Sequence, residues 1–78
     1  MSPTVLRYKA YRFFFFSREE DRMHVHVQGP DGEAKFWLEP KVALAKAEGL
    51  KAKALKDIER QVLANAEILK KAWKEHRA

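Results

Sequence analysis

Two of the three histidines, His24 and His26, stand one residue apart in the run Met23-His24-Val25-His26-Val27-Gln28. Successive side chains of a β-strand point to opposite faces, so both imidazoles face one way and Val25 and Val27 the other. Two imidazoles at that spacing can ligate one transition metal, with Asp21, Glu33, Glu39 or His76 supplying a third ligand. A divalent metal is the one cofactor this pattern admits, and nothing else in the chain calls for a cofactor. Alternatively, one imidazole acts as general base beside a phosphate or a ribose hydroxyl, because the group titrates near neutral pH. The plainer and stronger expectation is a pair of surface or recognition histidines, since His-x-His alone is not a specific motif.

Around them lie Tyr8, Tyr11, Arg12, Lys35 and Trp37. With His24 and His26 these form a candidate binding surface on which bases stack and cations meet phosphates. Packing for the aromatics and a solvated fringe for the charges is the simpler account. A third candidate is the basic side of the C-terminal helix, with Lys53, Lys56, Arg60, Lys71 and Lys74, although Glu59, Glu67 and Glu75 interrupt it.

Other chemistries are excluded. There is no cysteine, hence no disulfide and no thiolate metal site. The three glycines sit in turn and cap contexts, so no Gly-rich phosphate loop exists. Ser2, Thr4, Ser17 and two tyrosines are the only hydroxyls, too few for a Ser/His/Asp nucleophile. Nor does a helix-turn-helix with a base-reading second helix occur.

The elements that must hold these residues are legible from period and turn chemistry. Residues 4–8 and 11–16 are strand-forming runs joined by Lys9-Ala10, an antiparallel hairpin. In the run Phe13 to Phe16 two rings go to each face. One pair fills the core; the other is covered by a wrapping C-terminal helix or marks a contact surface. Strands at 23–28 and 33–38 flank the turn Pro30-Asp31-Gly32. Pro40 suits the first turn of a short helix over 40–48, with Gly49 as its left-handed stop. Leu55, Ile58, Val62, Ala66, Leu69 and Trp73 recur at helical spacing and predict one long helix over 52–76. The expected fold is α+β: a four-stranded antiparallel meander, then a short helix and a long C-terminal helix packed on the sheet.

With 78 residues the chain makes one small domain, 1–78. Its hydrophobic fraction of 46% argues against disorder. A net charge of +5 favours acidic partners. No apolar run is longer than Phe13 to Phe16, far short of a membrane span, so a soluble cytoplasmic protein is expected.

Thr4 to Tyr8, Tyr11 to Phe14, His24 to Val27 and Gly32 to Pro40 together resemble a family of small prokaryotic proteins. The family is known only as domain-of-unknown-function family four-one-six-zero. The similarity covers nearly the whole chain, Gly49 and Ile58-Glu59 included. Family members carry a longer, proline-ended loop before the histidine strand; here Ser17 to Met23 has no proline. The resemblance implies a cytosolic component of a toxin–antitoxin-like gene pair, with a small protein partner and RNA or transcription as its target. It implies no known reaction. The leading expectation is a protein that acts by binding a protein partner, with nucleic acid or a second copy of itself as further partners. The rivals are a small RNA-cleaving toxin using His24 and His26, and an inert accessory subunit.

Overall fold

The computed structural model describes residues 4–16 and 21–77. It contains β1 (Thr4–Tyr8), β2 (Tyr11–Phe14), β3 (His24–Gln28), β4 (Glu33–Trp37), β5 (Ala43–Glu48), α1 (Ala52–Ala64) and α2 (Ala66–Arg77). The strands form one antiparallel sheet in the order β1-β2-β3-β4-β5, a meander in which every neighbour in sequence is a neighbour in space. The class is therefore α+β, with a sheet of five strands rather than four.

The fifth strand corrects the helix expected over 40–48. Ala43, Ala45 and Ala47 are half-buried, whereas Leu44, Lys46 and Glu48 are exposed. That is a period of two, and pairing with β4 from Glu33↔Glu48 to Trp37↔Ala43 overrides the helical preference of alanine. Pro40 follows a cis Glu39–Pro40 bond in the connection between β4 and β5 instead of opening a helix. Gly49 does take the left-handed conformation, φ 79°, but it ends β5. A Cβ on Gly49 would meet the Asp31 carbonyl oxygen, and one on Gly32 would overlap the Glu48 carbonyl, so the two turns interlock through their glycines.

The long helix is likewise two helices, parted at Asn65 (φ −113°, ψ 16°). The Asn65 side-chain amide donates to the Gln61 carbonyl at 2.8 Å, drawing on an acceptor that the helix backbone also uses. The apolar stripe survives the break, because Ile58 and Val62 of α1 and Leu69 and Trp73 of α2 are all buried.

Strand alternation divides the sheet into two faces. Phe13 pairs with Val27, Val27 with Ala34, and Val25 with Phe36. These residues, with Phe15 and Leu38, meet Ile58, Val62, Leu69 and Trp73 in one core. Each fully buried Phe or Leu contributes roughly 1.5–3 kcal/mol by leaving water. The β1–β2 turn is tied to α1: Tyr8 Oη donates to Asp57 Oδ1 at 3.0 Å, and Lys9 Nζ lies 2.9 Å from Asp57 Oδ2. Among the described residues no helix is long and apolar enough to cross a membrane.

Candidate binding face of the sheet

The opposite face is built by the alternate positions of the same strands. The register sets Phe14 against His26, His26 against Lys35, and His24 against Trp37. Arg12 precedes Phe14 by two residues and shares its face. The face is thus a lattice of rings and cations.

The rings run across the strands in contact. Phe14 stacks on His26 with centroids 5.6 Å apart, and Phe16 meets His26 edge-on at 4.5 Å. His26 meets His24 at 5.0 Å, and His24 meets Trp37 at 5.9 Å. Cations cap this array. The Arg12 guanidinium lies 4.3 Å from the Phe14 centroid, Arg22 4.1 Å from Trp37, and Lys35 Nζ 4.6 Å from Trp37. Cations placed over ring faces are held by the ring quadrupole, which fixes long side chains that are otherwise mobile. Beside the array, Phe14, Phe16, His26, Glu33, Lys46 and Glu48 edge a shallow hollow of ≈ 190 Å³.

The two histidines differ in environment. His26 is partly exposed among these rings, whereas His24 is fully buried. α2 reaches round the end of the sheet, and the Trp73 indole sits 4.8 Å from the His24 imidazole. His24 Nδ1 is 2.7 Å from the Arg22 carbonyl oxygen. A carbonyl only accepts, so Nδ1 carries the proton and the ring is fixed in orientation. The same wrapping places His76 Nε2 3.0 Å from the Phe16 carbonyl and Arg77 2.8 Å from Asp21.

Of the candidate surface residues, the structure brings His24, His26, Lys35, Trp37 and Arg12 together. Tyr11 is not with them. It pairs with Tyr8 on the other face, packs against the core, and its ring lies under Gly29. The four candidate third ligands are dispersed. Glu33 pairs with Gln28 at the far end of β3–β4 from His24, Glu39 follows β4, Asp21 holds Arg77, and His76 holds the Phe16 carbonyl. Among the described residues no group of three His, Asp or Glu side chains is placed to hold a metal ion. Arg22 was not foreseen. Its only signal was its place two residues before His24, which projects it onto the same face.

These features define a small α+β domain whose helices cover one sheet face and leave a cation-capped aromatic face on the other. The chain belongs to the family described as Domain of unknown function (DUF4160), whose model matches residues 10–74. Neither the curated proteins nor the solved structures contain a match.

Proposed function

We propose that this chain is a binding component of a two-protein, toxin–antitoxin-like module of the prokaryotic cytoplasm. Its protein partner docks on the open sheet face. The carrying observation is the cation-capped array itself: Arg12 on Phe14 and both Arg22 and Lys35 on Trp37. Trp and Arg anchors in a preorganised cluster are the composition of binding hot spots. The fit is to an acidic partner segment with one apolar anchor. The anchor would enter the hollow beside Phe16, which is 45% exposed, and the carboxylates would meet the arginines and Lys35.

Burial favours binding over two-histidine catalysis. A general acid–base pair or a shared metal needs both imidazoles within reach of a ligand, and His24 is enclosed by Trp73, Trp37 and His26.

The test is calorimetric titration of the purified chain with the product of the adjacent reading frame. Lys35→Glu is expected to weaken binding at least about tenfold, the loss of roughly 1.4 kcal/mol, with an unchanged unfolding midpoint. Trp37→Ala should weaken it at least as much but also lower the midpoint, because it uncovers His24. Binding unaltered by both substitutions, or growth arrest on induction that His26→Ala alone relieves, would overturn the reading.

A further inference from the structure

A large cavity among the described residues lies away from the sheet face, and its lining is cationic. It is an open cleft of ≈ 1010 Å³ between the β1–β2 turn, the β3–β4 turn and the start of α1. Lys9, Lys51, Lys53, Lys56 and Arg60 line it against two carboxylates, Asp31 and Asp57. Asp57 is already engaged by Tyr8 and Lys9. All five cations are exposed at its walls.

Local preference is set aside there more than once, each time in favour of a cation. Lys9 occupies a left-handed position, φ 55°, where glycine or asparagine sits without strain. Lys51 is the N-cap of α1 and makes no side-chain cap hydrogen bond, although Ser, Thr, Asp or Asn is preferred at such a position. The first turn of α1 has no acidic residue and carries Lys53. These choices cost stability and concentrate positive charge on one cavity.

We infer that this cleft binds the sugar–phosphate backbone of a nucleic-acid strand. Lys53, Lys56 and Arg60 fall at i, i+3 and i+7 on one helix face and span about 10 Å at 1.5 Å per residue. With a phosphate about every 3.4 Å of axial rise along one strand, the row spans about three phosphate steps, and Lys51 extends it. The lining has no Asn or Gln to read base edges, and its one aromatic, Tyr11, is packed against Gly29. The row of cations makes salt-sensitive backbone contacts the main source of affinity.

Fluorescence anisotropy of the full chain with labelled oligouridylate RNA and oligothymidylate DNA tests this, with inorganic triphosphate as competitor. A Kd in the range of about 1–100 µM near physiological salt is expected, weakening about 50-fold between 50 and 200 mM salt for four phosphate contacts on a single strand. Replacing Lys51, Lys53 and Lys56 together by Gln should weaken binding at least tenfold and flatten the salt slope. The control Lys71→Gln/Lys74→Gln, on α2, should change it less than threefold. A preference for RNA or DNA would name the natural strand, and binding of either supports the site. Four outcomes overturn it: no binding of either strand, equal loss in both sets of variants, no loss in the triple variant, or triphosphate binding as tightly as the oligomers. Trp37→Ala, read in parallel, separates this cleft from the sheet face, since strand binding should survive it.

Discussion

The indole of Trp73 and the imidazole of His24 stand 4.8 Å apart at an interplanar angle of 60°, closing the end of the sheet with the last helix. This contact makes His24 a packing residue. His24→Ala is expected to destabilise the fold by about 2–4 kcal/mol, because a fully buried ring leaves a cavity and an unmet Arg22 carbonyl. His26→Ala, at a partly exposed site, should cost under about 1.5 kcal/mol. Urea midpoints at constant m-value check the ordering, and equal losses would contradict the placement of His24 in the core.

The tie between Lys9 and Asp57 predicts a pH dependence. The hydrogen bond from Lys9 holds the Asp57 carboxyl below its ordinary 3.8, with burial opposing and Tyr8 assisting. A depressed acid pKa gives stability that is present above the unfolded value and lost as pH falls through the folded one. The same hydrogen bond raises Lys9 above 10.5, so its share is present below that value and lost as pH rises past the folded pKa. Asp57→Asn should therefore lower the melting temperature at neutral pH and flatten its fall below about pH 4. Parallel acid limbs for the two proteins would remove the tie from the account.

The division of the sheet into two faces was legible because β3 and β4 alternate cleanly; His24, Val25, His26 and Val27 admit only one register with a buried face. What escaped was the segment 43–48. Four of its six residues are Ala or Lys, which read as helix, and only pairing with β4 makes it a strand. The burial of His24 also depended on tertiary structure. Position 24 lies on the polar-facing side of β3, and nothing local announces that α2 will turn round the sheet to cover it. The cleft was partly visible: Lys53, Lys56 and Arg60 stand out on the helix, but Lys9 joins them only when the first hairpin packs against α1.

At Gly49 a single methyl group meets two penalties at once, one of conformation and one of contact. Its φ of 79° penalises any L side chain by about 1–2 kcal/mol, and the Asp31 carbonyl lies where the Cβ would go. Gly49→Ala should lower stability by about 2–3 kcal/mol and loosen the β3–β4 turn at the same time. Hydrogen exchange at Gly29, whose N–H is bonded to the Gly32 carbonyl at 2.9 Å, reports the second effect. Retained protection there, with no fall in stability, would contradict the interlock.

Asn65 decides whether α1 and α2 act as one rod or two. Its backbone N–H donates to Gln61 at 3.0 Å and its carbonyl accepts from Leu69 at 2.9 Å, so the hydrogen-bond ladder crosses the break. The side-chain bond to Gln61 is then what favours ψ 16° over a helical value. Asn65→Ala removes about 1 kcal/mol of hydrogen bond and gains up to about 0.7 kcal/mol of helix propensity. The net change in midpoint is small, but the balance shifts toward a continuous helix, which would carry Trp73 away from Phe15 and His24. The expected signature is a reduced near-ultraviolet circular dichroism band from Trp73, with helical far-ultraviolet signal equal or higher. An unchanged near-ultraviolet band would mean that the packing of Leu69 and Trp73 alone sets the bend.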